Sequence, residues 1–212
     1  LLGTVNVLEY ARESGSHIVF SSNSGIYDSA IQPIREGNPE KPATPYDVDK
    51  LAAEHMIKAY HEAYGIPYTI FRFATVYGPR QRVSSEWRPV VSAFIDAQIR
   101  GEKPYVTGTG KQTRDFVYVS DVVDALVKAP TLAESLGPIL LGSGVETSVL
   151  EALRVVCAAT GAPVEFDRRP APVGEIQRMS YDCSYAREKL GWSAKVGLVE
   201  GLAGILAHLR ET

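Results

Sequence analysis

Apolar residues alternate between helical and strand spacing along the first third of the chain. Residues 2–11 carry apolar side chains on one helical face, and Gly15 after them is a typical helix stop. Residues 17–22 form a short apolar run that ends in small polar side chains, as buried strands do. A longer helix is predicted over residues 46–64, and a second buried strand over residues 68–74. The order helix, strand, helix, strand predicts a parallel α/β sheet with right-handed crossovers, which is half of a doubly wound fold.

The remainder of the chain predicts a return to this sheet and a smaller C-terminal α/β part. The pattern indicates helices at 90–100, 121–129 with Ser120 as cap, 148–161, 185–190 and 198–209, and strands at 116–119, 139–141 and 164–166. We predict two domains from these elements. Residues 1–79 and 116–145 belong to the doubly wound sheet, and residues 80–115 and 146–212 form the smaller part.

The composition is typical of a folded protein rather than a disordered one. The chain has 212 residues, of which 45% are hydrophobic and 22% charged. Its formal net charge of −3 provides no basic field for nucleic acid. No apolar run approaches the roughly 20 residues needed to cross a bilayer. We therefore expect that the protein binds neither nucleic acid nor a membrane. We also expect that it is located in the cytoplasm.

The cysteines and histidines lack the spacing of a metal site. Cys157 and Cys183 form no CxxC pattern, so we expect two free thiols. The 4 histidines show no ligand spacing with cysteines or carboxylates. We therefore predict no metal.

Tyr46 and Lys50 form the pattern Tyr-x-x-x-Lys at the start of the second predicted helix. Residues four apart on a helix share one face, roughly 5 to 6 Å apart at Cβ. A phenol is a poor base at neutral pH, but a nearby ammonium favours the phenolate and lowers the phenol pKa. Tyr46 could then exchange a proton with a substrate hydroxyl. A Tyr-x-x-x-Lys pair alone is common in helices, so the surrounding motifs are needed to indicate whether this pair is catalytic.

Five ordered blocks give the chain a family resemblance over nearly its whole length. They are Phe20-Ser-Ser-Asn-Ser-Gly-Ile-Tyr27, Pro45-Tyr-Asp-Val-Asp-Lys50, Arg72-Phe-Ala-Thr-Val-Tyr-Gly-Pro-Arg-Gln81, Arg114-Asp-Phe-Val-Tyr-Val-Ser-Asp121, and Arg178-Met-Ser-Tyr-Asp182 with Lys189-Leu-Gly-Trp192. In this order they resemble the extended short-chain dehydrogenases/reductases, in particular the NAD-dependent epimerases and dehydratases. Within that family the chain looks most similar to the UDP-glucose 4-epimerases and their relatives.

The resemblance implies a homodimeric NAD-dependent isomerase, a UDP-hexose 4-epimerase-like enzyme that transiently oxidises a nucleotide sugar. In that family the cofactor takes hydride from a sugar carbon while the tyrosine takes the hydroxyl proton, and the hydride commonly returns to the same intermediate. Tyr46 would be the general base, and Lys50 would hold the nicotinamide ribose and lower the pKa of Tyr46. The positions implied to border the cofactor are Ser21, Ser22, Tyr46, Lys50, Phe73, Ala74 and Val76. Residues 1–79 and 116–145 would then be the C-terminal portion of an NAD-binding Rossmann domain, and the rest a substrate-binding domain.

Three positions depart from the family pattern. Asn23 stands where a hydroxyl residue usually hydrogen-bonds the reacting sugar oxygen, and an amide cannot relay a proton as a hydroxyl can. Ser24 next to it is a candidate replacement. Thr75 stands where the family often has a substrate-facing Asn, and Asp28 replaces the usual Gly after Tyr27.

The resemblance also implies residues that bind the nucleotide sugar. Arg114 and Arg178 match positions that hold the diphosphate, a role that suits the planar guanidinium, and Asp182 would assist at the ribose. Arg80 and Arg88 are further candidates in a basic loop.

The family's glycine-rich dinucleotide fingerprint does not occur in this sequence. No strand followed by Gly-x-x-Gly-x-x-Gly and a helix is found, so we expect the 212-residue segment alone to be inactive and to bind NAD weakly. A non-catalytic nucleotide-sugar-binding homologue therefore stays open as an alternative. Dehydratase or decarboxylase activity also stays open, although Ser24-Gly25 replaces the acid pair usual in dehydratases.

Overall fold

The first half of the chain alternates helices with parallel strands, as the apolar pattern predicts. The computed structural model describes residues 1–82, 89–132, 134–172 and 174–211. Its helices are α1 (Leu2–Ser14), α2 (Pro45–Tyr64), α3 (Val90–Ile99), α4 (Val119–Lys128), α5 (Val149–Thr160), α6 (Ser184–Leu190) and α7 (Leu198–Glu211). Its strands are β1 (Ile18–Asn23), β2 (Tyr68–Phe73), β3 (Thr75–Tyr77), β4 (Tyr105–Thr107), β5 (Thr113–Tyr118), β6 (Leu136–Leu141), β7 (Glu146–Ser148) and β8 (Asp167–Arg169).

The central sheet has three parallel strands in the order β1-β2-β6. Phe20 pairs with Ile70, and Arg72 pairs with Leu140. Both faces of the sheet are covered. Ile70 packs on one face with Leu8 of α1 and Ile57 of α2, whereas the opposite face contributes to a separate core that includes residues of α4 and α6. The predicted doubly wound α/β architecture is confirmed.

Residues 116–145 divide between two sheets. β6 joins the central sheet, whereas β5 pairs in parallel with β3 and antiparallel with β7. A further pair of parallel strands, β4 and β8, lies outside both sheets. The predicted division into two domains remains a prediction. It places residues 116–145, with β6 and the second half of β5, in one domain, although β5 and β6 pair with different strands.

Two local predictions in the second half were wrong. The strand expected at 164–166 begins instead at Asp167, where backbone pairing with β4 sets the strand and the exposed side chains carry no apolar signal. Ser120 is not the cap of α4, because the helix already begins at Val119 and Tyr118 precedes it without a side-chain cap.

The ends of α2 have identifiable causes. Thr44 and Asp47 form a reciprocal capping box at its start, which satisfies backbone N–H groups that a helix leaves free. At the other end Gly65 adopts a left-handed φ of 71° and its N–H bonds to His61, a conformation that glycine reaches without strain. The first turn of α2, which carries Tyr46, is therefore rigidly defined.

Within these described ranges no helix is long and apolar enough to span a membrane. The same ranges contain no group of three or more His, Cys, Asp or Glu residues arranged to hold a metal ion. Cys157 is buried and Cys183 is half-buried, and both are free thiols as expected.

Candidate active site

Tyr46 lies in the first turn of α2, beside the carboxyl end of β1. The capping carboxylate of Asp47 accepts hydrogen bonds from the backbone N–H of Thr44 at 3.1 Å and from its hydroxyl at 2.7 Å. Asp47 is buried, whereas the side chain of Tyr46 is 59% exposed. The phenol is thus held on a fixed helix turn and remains accessible to a ligand.

Lys50 joins this turn to the end of β1. Its Nζ donates a hydrogen bond of 2.8 Å to the carbonyl oxygen of Ser21. The same Nζ lies 4.9 Å from the ring centroid of Phe20 and 5.7 Å from that of Tyr46, within the range of cation–π attraction. The structure therefore places Lys50 beside Tyr46, as the spacing predicts, and also brings it into contact with Ser21.

The expected lowering of the Tyr46 pKa is not found. Partial burial of the otherwise exposed phenol and, secondarily, the carboxylate of Asp47 raise the pKa of Tyr46 above its ordinary value. The physical reason lies in the placement of charges, since Lys50 donates to Ser21 while Asp47 is the next residue along the helix. In this arrangement Tyr46 is held as the neutral phenol.

The chain leaves the central sheet beside these residues. β2 ends at Phe73, the N–H of Ala74 bonds to the carbonyl of Leu141 at 2.9 Å, and Thr75 and Val76 already belong to β3 of the second sheet. In open α/β sheets, nucleotide ligands bind outside the carboxyl ends of parallel strands, where the sheet order changes. The strand ends are therefore a candidate site for a nucleotide cofactor.

Ser22 is turned into the interior rather than toward this edge. Its side chain is 4% exposed and its hydroxyl donates to Oε1 of Glu54. The neighbouring residue Ser21 is exposed, and its carbonyl oxygen accepts a hydrogen bond from Lys50.

Asn23 ties the end of β1 to the cap of α2. Its amide nitrogen donates to Oδ1 of Asp47, and its amide oxygen accepts the N–H of Gly25 at 3.1 Å. Gly25 lies tightly under this contact, because an added Cβ would stand 2.9 Å from both Asn23 Nδ2 and Asp47 Oδ1. The residue at the family's hydroxyl position thus has a structural partner that the sequence did not indicate.

Ser24 is buried, and its hydroxyl is hydrogen-bonded to the hydroxyl of another residue. It is 3% exposed, and its Oγ lies 2.8 Å from the phenol oxygen of Tyr181. Burial raises the pKa of Tyr181, so that this partner is a neutral phenol.

A cavity of about 430 Å³ lies between α3 and the β4–β8 pair, and Arg114 lines it. Nη1 of Arg114 donates to the carbonyls of Thr113 at 2.7 Å and Ile176 at 2.8 Å, which anchors the guanidinium. Burial lowers the pKa of Arg114. Among the described residues, no hydrogen-bond acceptor meets its Nε or Nη2, so two donor groups of an anchored cation are available.

The same cavity contains residues that sequence reasoning missed. Glu175 accepts hydrogen bonds from the hydroxyl of Thr107 at 2.8 Å and from Gln112 at 3.3 Å. The guanidinium of Arg169 stacks 3.7 Å above the ring centroid of Tyr105. No local pattern in the sequence indicated that Thr107, Glu175 or Arg169 would line this cavity.

The other predicted substrate residues lie elsewhere. Arg178 is outside this cavity and forms a two-pronged ion pair with Glu146 at 2.7 and 2.8 Å. Asp182 lines a second cavity of about 410 Å³ near the end of β6 and lies 3.7 Å from Arg35. Arg80 has a left-handed φ of 64° and lines a third cavity. Arg88 lies outside the described residues.

The fold and the Tyr46–Lys50 pair define a Rossmann-like enzyme of the short-chain dehydrogenase/reductase type. Residues 1–138 match the NAD dependent epimerase/dehydratase family, and the chain belongs to that family.

The comparisons identify several similar proteins. A UDP-glucose 4-epimerase of Mycolicibacterium smegmatis is 37% identical over 99% of this chain and 68% of its own length. The UDP-glucuronic acid decarboxylase 3 of Arabidopsis thaliana is 35% identical over 95% of this chain and 60% of its length. The crystal structure of the Thermotoga maritima UDP-glucose 4-epimerase with UDP-glucose superposes with a TM-score of 0.91 at 33% identity, covering all of this chain and 69% of that one.

Proposed function

We propose that the chain carries the catalytic residues of an NAD-dependent nucleotide-sugar epimerase that acts on UDP-linked hexoses. The observation that carries the proposal is the contact of Lys50 with Ser21, at 2.8 Å, which fixes the Tyr46–Lys50 pair over the carboxyl end of a parallel strand. The family is NAD-dependent, and a relative 37% identical is a UDP-glucose 4-epimerase.

The strand ends would hold the cofactor. Lys50 and the backbone of Ser21 would face the nicotinamide ribose, with Phe73, Ala74 and Val76 forming the apolar wall behind it. When bound, NAD supplies reversible oxidation of a sugar carbon. Ser22 would contribute through the position of the strand, because its own hydroxyl is bonded to Glu54.

Tyr46 would exchange the proton of the sugar hydroxyl. Its pKa is raised by burial and Asp47, so ionisation requires a cation closer to the phenol oxygen. Lys50 lies 5.7 Å from the ring and could serve if its ammonium turned from Ser21 toward that oxygen.

The cavity of about 430 Å³ would receive the nucleotide end of the substrate. Arg114, with its anchored guanidinium, suits a diphosphate, and Arg169 adds a second guanidinium to the same cavity. The carboxylate of Glu175 suits ribose hydroxyl groups, which donate hydrogen bonds. Arg178 and Asp182 would serve only if the ligand extended beyond this cavity.

Turnover of UDP-glucose and UDP-galactose by the NAD-binding protein tests the proposal, with Tyr46→Phe as the critical variant. The ring of the variant still fills its space, but the proton acceptor is gone, so we expect a loss of roughly 10²- to 10⁴-fold in kcat. Binding of UDP should change by less than about twofold, because the nucleotide cavity does not include Tyr46.

Tyr60→Phe is the matched control, since it also removes one tyrosine hydroxyl from α2, from a contact with Glu9. A Tyr46→Phe protein with wild-type kcat would show that Tyr46 is not the base. Release of CO₂ from UDP-glucuronic acid, without interconversion of the hexoses, would favour the decarboxylase alternative to which the Arabidopsis relative points.

We also propose a homodimer formed through α1 and α2. Leu2, Val7 and Tyr10 of α1 are 78%, 55% and 68% exposed, and Val48 and Tyr64 of α2 are similarly exposed. Two helices from each of two chains could bury these side chains in a four-helix contact.

A further inference from the structure

A buried charged cluster lies directly behind the Tyr46–Lys50 pair. Arg72 of β2 and Glu54 of α2 are both 0% exposed. Nε and Nη2 of Arg72 donate to the two carboxylate oxygens of Glu54, at 2.9 and 2.6 Å. The hydroxyl of Ser22 donates to the same carboxylate, and Nη2 of Arg72 also reaches Glu40 in the loop before α2. A fully buried ion pair contributes little net stability, so its place in the fold calls for another explanation.

The cluster makes a second contact between α2 and β1, one helical turn after the contact made by Lys50. Ser21 and Ser22 are consecutive on β1, and Lys50 and Glu54 are four residues apart on α2. The carbonyl of Ser21 accepts from Lys50, while the hydroxyl of Ser22 donates to Glu54. Because residues four apart share a helix face, Tyr46 continues the same row one turn earlier.

The geometry restricts α2 in two ways. A shift along the helix axis would separate Glu54 from the hydroxyl of Ser22, and a rotation would break the two-pronged pairing with Arg72. Arg72 is itself held against the ring of Tyr27, with its guanidinium carbon 4.4 Å from the centroid. Its Nη1 has no hydrogen-bond partner among the described residues, which is consistent with stacking of the guanidinium on that ring.

We propose that Ser22, Glu54 and Arg72 are positioning residues, which set the height and rotation of α2 so that Lys50 and Tyr46 meet the strand end. None of these three residues is proposed to touch the substrate or the cofactor. The inference rests on the proposed function for the roles of Lys50 and Tyr46, and the alternative is that the cluster merely stabilises the fold.

Ser22→Ala tests the proposal with a small change, since it removes one hydroxyl and leaves the Glu54–Arg72 pair in place. Thr69→Val is the matched control. Thr69 is also fully buried on the central sheet, and its hydroxyl lies 2.9 Å from His17 at the opposite end of the strands. Ser22→Thr retains the hydroxyl and serves as the rescue. Melting temperature, the Kd for NAD, kcat and KM are measured on the NAD-binding protein.

We expect both Ser22→Ala and Thr69→Val to lower the melting temperature, because each removes a hydrogen bond made by a buried side chain. Only Ser22→Ala should also lower kcat, by about tenfold, and weaken NAD several-fold, since displacements of less than an ångström at a catalytic group are costly. The KM for the sugar nucleotide should stay within about twofold. Ser22→Thr should recover most of both losses.

The outcomes separate the two proposals. If Ser22→Ala changes only the melting temperature, as Thr69→Val does, the cluster is structural and the positioning role is refuted. If the wild-type protein converts no nucleotide sugar, the proposed function fails, whereas the NAD affinities of the three variants still decide whether the cluster positions Lys50.

Discussion

Replacing Asn23 by serine separates two interpretations of the position where the family usually has a hydroxyl residue. If Asn23 acts only as a weak substitute for a catalytic hydroxyl, Asn23→Ser should restore turnover. The structure instead gives its amide a partner, because Nδ2 donates to the buried carboxylate of Asp47 in the cap of α2. A serine hydroxyl ends one bond closer to the backbone and loses this contact.

The stability loss can be worked from that hydrogen bond. A hydrogen bond to a charged group contributes about 1.5–3 kcal/mol, so we expect a loss of roughly 2 kcal/mol. For a chain of this size that corresponds to a melting temperature lower by about 4–8 °C. Asn6→Ser is the control, because Asn6 is exposed on α1 and the same chemical change there should shift the melting temperature by less than about 1 °C.

Turnover should fall with stability rather than rise. The cap of α2 carries Tyr46 in its first turn, so loss of the Asn23–Asp47 contact loosens the proposed base, and we expect a decrease of about threefold to tenfold in kcat. An Asn23→Ser protein with unchanged melting temperature and higher kcat would refute this reasoning and restore the hydroxyl interpretation.

Two further predictions concern the nucleotide cavity and the helical surface. Arg114→Lys and Arg169→Ala should each weaken UDP binding by about tenfold in calorimetric titration, because a guanidinium pairs with phosphate oxygens through two donors. The control Arg100→Ala breaks only an exposed helix pair with Asp96 and should leave the Kd for UDP unchanged. Equal effects of all three substitutions would argue against this cavity as the nucleotide site. Val7→Asp should convert the proposed dimer to a monomer in analytical ultracentrifugation, because it places a charge on the exposed apolar face of α1. A wild-type protein that sediments as a monomer at micromolar concentration would contradict the dimer proposal.

Features that depend on neighbours along the chain were predictable from the sequence. The spacing of Tyr46 and Lys50 places both side chains on one helix face regardless of tertiary structure, and glycine at the end of α2 marks its stop. β1 begins with the apolar run Ile-Val-Phe and β2 contains the buried pair Ile-Phe, so both strands were also predictable from the sequence.

Features that depend on distant partners were not predictable. Asn23 finds Asp47 from 24 residues away, and Ser22 finds Glu54 from 32 residues away. Arg169 reaches the cavity because β8 pairs with β4, which brings it beside Thr107. These pairings follow from strand order and helix placement, and no local spacing in the sequence encodes them.

The electrostatics of Tyr46 bear on how one residue could serve both halves of an epimerisation. A base that takes the hydroxyl proton must later return it, so a strongly depressed pKa would favour the first step and oppose the second. Here burial and Asp47 raise the pKa of Tyr46, while Lys50 donates to Ser21 at 2.8 Å instead of to the phenol. The resting arrangement therefore stabilises the protonated phenol, which is the form that donates a proton.

A movement of the Lys50 ammonium from the Ser21 carbonyl to the phenol oxygen would shift the balance toward the phenolate, which is the form that accepts a proton. Because the buried Ser22–Glu54–Arg72 cluster fixes the helix beneath Lys50, such a movement could occur in the side chain alone, without displacing Tyr46.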